Sequence, residues 1–177
     1  MNIREAIDSD LDEVLSVERR AFGGEDEALL VQNLLNDESA KPTLSLLALQ
    51  KSKAVGHILF TKALLEPKTA LSVSLLAPMA VIPKFQKQGI DRLLIENGLQ
   101  ILRESKSDLV FVLGYPDYYL RHGFQPAGKL GFDAPYPILE KNANAWMVQA
   151  LQPNIIGKFK GKVVCADSLN RPEYWQE

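Results

Sequence analysis

Apolar positions recur along this chain with two different periods, and the switches between them divide it into elements. Residues 3–7 (Ile-Arg-Glu-Ala-Ile) read as a short strand. Leu11, Val14, Leu15, Glu18, Ala21 and Phe22 then follow helical spacing, with Glu18 the polar member of the stripe. Ser9, with Asp12 three residues on, reads as the cap of this helix, and Gly23-Gly24 ends it. A second helix spans 25–36, apolar at Ala28, Leu29, Val31 and Leu35. Its start is acidic at Glu25, Asp26 and Glu27, as the helix dipole favours.

The period then drops to two. Residues 43–50, 54–65 and 70–82 read as three strands of an antiparallel meander, joined by the turns Lys51-Ser52-Lys53 and Glu66-Pro67-Lys68. Pro78 lies inside the third strand. Proline has no N–H for a ladder, so it marks an edge or a bulge, and a bulge leaves main-chain groups free. A helix from 90 to about 105 places Leu94, Gly98, Ile101 and Leu102 on one side, with Gly98 allowing close approach to the sheet. The unbroken apolar run 109–113 suits a parallel strand covered on both faces, which makes 70–113 a right-handed strand–helix–strand crossover. Pro116 opens a short helix over 117–122 that Gly123 ends. Phe124 begins another strand, 145–151 is the last main strand, and 162–166 is one more in the tail. The whole reads as a single domain over 1–177, with a core at 1–151 and a C-terminal extension at 152–177.

Composition narrows the picture. A net charge of −2 gives no electrostatic reason to expect a nucleic-acid partner. No apolar run approaches membrane-spanning length, and the first residues lack a signal-peptide core, so a cytoplasmic protein with no membrane partner is expected. The lone cysteine, Cys165, excludes an internal disulfide and reads as a small buried hydrophobe. His57 has no companions at metal-ligand spacing, so it reads as a packed or hydrogen-bonded histidine, and no metal is expected. Lys158, Lys160 and Lys162 read as a solvated hairpin.

The candidate chemistry gathers between residues 76 and 92. An apolar strand stops at Pro83, a polar turn holds Gln86, Lys87, Gln88 and Gly89, and a helix starts near Ile90. The first N–H groups of a helix have no internal partners and carry the positive end of its dipole, so this is a natural anion site. Only Gly89 lies in the turn, which sets aside the Rossmann and P-loop fingerprints. On spacing alone, an ordinary strand–turn–helix connection accounts for the stretch equally well.

Gln86-Lys87-Gln88-Gly89-Ile90-Asp91, directly behind Met79-Ala80-Val81-Ile82-Pro83, resembles the acetyl-CoA motif Arg/Gln-x-x-Gly-x-Gly/Ala of the GNAT N-acetyltransferases. The run from Gly114 to Phe124 (Gly-Tyr-Pro-Asp-Tyr-Tyr-Leu-Arg-His-Gly-Phe) resembles the Tyr-x-x-x-Gly-Phe segment of the same family, in the form carried by the YhbS-like subgroup of predicted N-acetyltransferases. The resemblance implies an α/β fold of the α+β type, the GNAT acyl-CoA N-acyltransferase fold, with a mixed, strongly twisted sheet of about seven strands flanked by about four helices. It implies acetyl-CoA as cosubstrate and transfer of the acetyl group to a primary amine of a small molecule or peptide, by direct attack in a ternary complex. A non-catalytic acyl-CoA-binding or regulatory protein on the same fold is the alternative, and a homodimer is compatible with either.

Carried over residue by residue, the resemblance assigns the pantetheine arm to backbone groups of Met79, Ala80 and Val81, with an N–H near Met79 polarising the thioester. It assigns the pyrophosphate to the amides of Gln88, Gly89, Ile90, Asp91 and Arg92 and to the side chains of Gln86, Lys87 and Arg92. Tyr119, four residues before Gly123, matches the tyrosine that protonates the leaving thiolate, and Tyr118 is expected to be packing. Glu5, Glu66 and the group Glu25, Asp26 and Glu27 are all open as general base, as is a water chain, and that acidic group is also a candidate lip for a cationic amine. Asp91 departs from the motif's small residue. A carboxylate there repels a diphosphate by about 1 kcal/mol, so weaker CoA binding than is usual for the family is expected.

Overall fold

The computed structural model of the chain describes residues 1–176. Strand β1 (Asn2–Glu5) leads through a 3₁₀ turn (Asp8–Asp10) to helices α1 (Leu11–Phe22) and α2 (Asp26–Leu35). Strands β2 (Leu44–Gln50), β3 (Lys53–Glu66) and β4 (Val73–Val81) form the expected meander. Helix α3 (Ile90–Glu104), strand β5 (Leu109–Leu113), the short helix α4 (Pro116–Leu120) and strands β6 (Gln125–Pro126), β7 (Phe132–Asp133), β8 (Trp146–Ala150) and β9 (Gly161–Val164) follow. The main sheet runs β1-β2-β3-β4-β5-β8-β6, and β9 joins the far end of β3 to β7. The pair β4–β5 is parallel, as a crossover through α3 requires. This is the mixed sheet with flanking helices expected of the GNAT fold.

The two periods sort the side chains. On β2, Leu47 joins the core under α1 and α2 with Val14, Leu15, Val31 and Leu34. Its neighbours Leu46 and Ala48 join the core under α3 with Ile90, Leu94 and Ile95. On β5, Phe111 goes to the first core while Val110 and Val112 go to the second, which is why 109–113 shows no polar alternation. Gly98 has no room for a Cβ against the Phe60 ring, so α3 sits as close to β3 as the sequence suggested.

Two local details differ from expectation. The start of α1 is organised by Asp10 rather than by Ser9 and Asp12. The Asp10 carboxylate accepts the Ile7 N–H at 2.8 Å and forms a paired contact with Arg4 at 2.7 and 3.0 Å. The Arg4 hydrogen bond, then that of Ile7, holds the Asp10 carboxyl down at about 2. The strand begun by Phe124 is only two residues long, because the chain turns away at the 3₁₀ turn Gly128–Leu130.

The C-terminal extension docks on the end of α2. Asp37 accepts from the Ser168 N–H and hydroxyl at 2.9 and 2.8 Å with one carboxylate oxygen, and from Ser39 with the other. Trp175 is buried, its indole N–H donating to Leu169 O at 3.1 Å and its ring edge-on to Trp146. Tyr174 and Trp175 share a small cavity of about 140 Å³ with Leu75 and Ala77, in the middle of β4, and Leu113, at the end of β5.

Candidate functional site

The site begins with a mismatch in the sheet. Across β3 and β4, Ile58 faces Met79 and Phe60 faces Leu76, so Ala77 and Pro78 together oppose Leu59. That extra residue is a bulge at the proline the sequence flagged. On its other side β4 pairs with β5 only at Val73, Ser74 and Leu75. Past Leu75 the two strands part, and the main chain around Met79 faces a cleft instead of a neighbour. The cleft measures about 750 Å³ and is walled by Met79, Asp91, Leu113, Gly114, Tyr118 and Tyr119, among others.

The turn that closes one end follows from local chemistry. Pro83 starts a 3₁₀ turn (Pro83–Phe85), and the Gln86 side-chain amide reaches back to donate to Val81 O at 3.0 Å. Lys87 and Gly89 take positive φ values of 63° and 82°, which reverses the chain into α3. The helix has no side-chain cap at Gly89, so the N–H groups of Ile90, Asp91 and Arg92 are its unclaimed first donors. Gln86, Lys87, Gln88 and Arg92 are exposed, and the Arg92 guanidinium lies over Gly89. Ile90 buries its side chain in the core under α3 and Ala80 in a small cluster with Val17 and Ile82, so only their main chain faces this region.

Tyr119 comes from α4, at the opposite wall. Its ring is buried and lies flat on Gly114, where any Cβ would overlap it. Phe124 and Tyr118 hold the ring from two other sides, with centroids at 5.5 and 5.0 Å. Burial, then the negative charge of Asp91, pushes the phenol up to about 12, so it keeps its proton at neutral pH.

Tyr118 is more than packing. Its hydroxyl donates to the Asp91 carboxylate, tying α4 to the first turn of α3. Burial and then that bond raise its pKa as well. The pairing adds to the packing expected of Tyr118 and places Asp91 in the cleft wall, while the opening beside Met79 stays clear. The two motif oddities, a carboxylate at a small-residue position and a second adjacent phenol, are the signal that could have revealed it.

The structure brings Met79, Asp91 and Tyr119 to one cleft and sets Gln86, Lys87, Gln88 and Arg92 at the turn beside it. Glu5, Glu25, Asp26, Glu27 and Glu66 do not line the cleft; Asp91 does. Glu25 is paired with Arg19 at 2.7 Å, which blunts the acidic lip. Among the described residues, no group of three or more His, Cys, Asp or Glu could hold a metal ion, and no helix is long and apolar enough to cross a membrane.

Comparison with known proteins agrees with this geometry. Residues 2–127 match the family model for the acetyltransferase (GNAT) domain. The uncharacterized N-acetyltransferase YjhQ of Escherichia coli is 48% identical over 163 residues, covering 90% of this chain and 88% of that protein. The uncharacterized N-acetyltransferase YhbS of the same organism is 30% identical over 172 residues, covering 97% and 99%. The crystal structure of Escherichia coli YhbS in complex with CoA superposes with a TM-score of 0.87 at 29% identity, over 96% of this chain and 92% of that one. A Brucella melitensis GNAT family acetyltransferase in complex with acetyl-CoA gives 0.75 at 25% identity, over 95% and 97%. The match over residues 2–127 and the two relatives at 48% and 30% identity make the assignment: the chain belongs to the GNAT acetyltransferase family.

Proposed function

We propose that the protein transfers an acetyl group from acetyl-CoA to a primary amine of a small molecule or peptide, by direct attack within a ternary complex. The observation that carries this reading is the cleft itself. One opening brings together a main-chain segment without a strand partner on its β5 side, an uncapped helix N-terminus and a protonated phenol. The CoA-bound and acetyl-CoA-bound relatives support the choice of cosubstrate.

Bound acetyl-CoA supplies the activated acyl group as a thioester. The chain's own residues do the rest. The N–H groups of Gln88 to Arg92, with Lys87 and Arg92, hold the diphosphate at the helix start. The main chain of Met79, Ala80 and Val81 lines the path of the pantetheine arm. An N–H near Met79 polarises the acyl carbonyl, a contact worth roughly 3 kcal/mol in comparable acyl-transfer sites. Tyr119, held protonated, gives its proton to the sulfur as it leaves.

The test is thiol release from acetyl-CoA across a panel of amines, with wild type and Tyr119→Phe. Turnover with at least one amine is expected, with kcat reduced about 10²–10⁴-fold in the variant. The melting-temperature rise produced by CoA should be the same in both proteins. Binding of CoA without turnover on any amine would instead support a non-catalytic acyl-CoA-binding protein.

A further inference from the structure

A second constellation lies on the other side of the fold. Glu18 of α1 and His57 of β3 are both fully buried, with His57 Nδ1 2.7 Å from Glu18 Oε1. The other ring nitrogen, Nε2, lies 2.8 Å from the hydroxyl of Ser45 on β2. An ionised Glu18 can only accept, so Nδ1 carries the proton and Nε2 presents its lone pair to the Ser45 O–H. Serine to Nε2 and carboxylate to Nδ1 is the order of a Ser-His-acid triad, which is recognised by geometry and roles rather than by position in the chain.

Ser45 is the partly buried outer end of this relay and borders a cavity of about 510 Å³. That cavity shares no lining residue with the cleft around Met79 and Tyr119. Thr43, Asn36 and Lys41 add polar groups to its wall, and Leu11, Val14 and Leu44 make it apolar elsewhere. Glu18 Oε2 has no hydrogen-bond partner among the described residues, so the histidine is the carboxylate's sole polar support. A buried ionisable pair is costly to desolvate, and apolar residues of similar size would fill the space at less cost. Burial raises the Glu18 carboxyl, and the His57 hydrogen bond works against that rise by favouring the charged form.

We propose that Ser45, His57 and Glu18 form a second, nucleophilic catalytic site that hydrolyses short acyl esters. Ser45 Oγ bonds to the acyl carbon while its proton passes to His57 Nε2. The carbon–oxygen bond to the alcohol breaks, and the alcohol leaves with that proton. Water then attacks the Ser45 ester, giving one proton to Nε2, which returns it to Oγ as the carboxylic acid departs. Ester and water are consumed, and alcohol and acid are formed.

The full-length protein is treated with p-nitrophenyl acetate and, separately, with a fluorophosphonate reagent. A stoichiometric burst of p-nitrophenolate is expected, with both adducts mapping to Ser45 by peptide mass spectrometry. Ser45→Ala should remove both adducts and slow ester cleavage about 10²-fold or more. His57→Gln, which keeps a hydrogen-bonding side chain but cannot relay the proton, should suppress labelling to a similar degree. Unchanged melting temperature and unchanged stabilisation by CoA certify the fold of each variant. Ser45→Ala decides the question by itself if the buried His57→Gln does not fold. Absence of both adducts at Ser45 in folded wild type, or wild-type ester cleavage by Ser45→Ala, would overturn the proposal. Neither outcome bears on acetyl transfer in the other cleft.

Discussion

Asp91 sets two demands against each other, and replacing it with asparagine separates them. Its carboxylate stands in the first turn of α3, half-exposed and hydrogen-bonded to Tyr118. An asparagine can still accept from Tyr118 but carries no charge. Two unit charges about 4 Å apart in a watery setting repel by about 1 kcal/mol, and partial burial roughly doubles that. Arg92, exposed and lying over Gly89, offsets part of it. Asp91→Asn should therefore tighten CoA by about 1–2 kcal/mol, or about 5–30-fold. Asp91→Gly should move in the same direction. The same carboxylate favours the positive end of the helix, so its loss costs about 0.3–1 kcal/mol of stability. That corresponds to a fall of roughly 1–4 °C in Tm for a chain of this size. Calorimetry on CoA and thermal melts of the free protein measure the two effects. Raising the salt concentration should narrow the difference in affinity, because exposed charges are screened. Tyr118→Phe is the control: it frees the carboxylate without removing it and should not tighten CoA. Unchanged or weaker CoA binding by Asp91→Asn would refute the argument.

Two further predictions follow from packing and titration. Gly114→Ala places a methyl group in the Tyr119 ring, so the phenol must move; kcat should fall about 10-fold with CoA affinity kept, at a stability cost of about 1–3 kcal/mol. At Asp37, burial alone would raise the carboxyl, but hydrogen bonds from Ser39 and Ser168 outweigh it and hold it at about 2, below its ordinary 3.8. A lowered folded-state pKa gives stability that is present above the unfolded value and lost as pH falls through the folded one. Between pH 4 and pH 2 the extension should loosen, read as a red shift of Trp175 fluorescence, and Asp37→Ala should show that shift already at pH 7.

Much of this was legible in the residues because period and side-chain chemistry are local. The alternation of Leu46, Leu47 and Ala48, the helical stripe of α1 and the run 109–113 each name their own faces. Pro78 announced the bulge, and Gly98 the close approach of α3. The parting of β4 from β5 is not written in the residues, since nothing in Leu76 to Val81 says how far the neighbouring strand continues. What stayed hidden were contacts between elements. Tyr118 and Asp91 lie 27 positions apart, and Glu18 and His57 lie 39 apart. Glu18 on an apolar stripe and His57 inside a strand were visible as polar exceptions, but their meeting depends on how α1 is laid across the sheet. Asp10 displaced Ser9 as the organiser of α1 for a similar reason, because Arg4 on β1 holds its carboxylate in place.

The tail has a consequence for the wall of the cleft. Where β4 and β5 diverge, Tyr174 and Trp175 share a cavity with Leu75, Ala77 and Leu113, and the segment that carries them is anchored by Leu169 and by the Ser168 clasp on Asp37. Leu113 borders that cavity and the cleft alike, so the last turn of the chain is a buttress whose seating is felt, through one leucine, at the edge of the site.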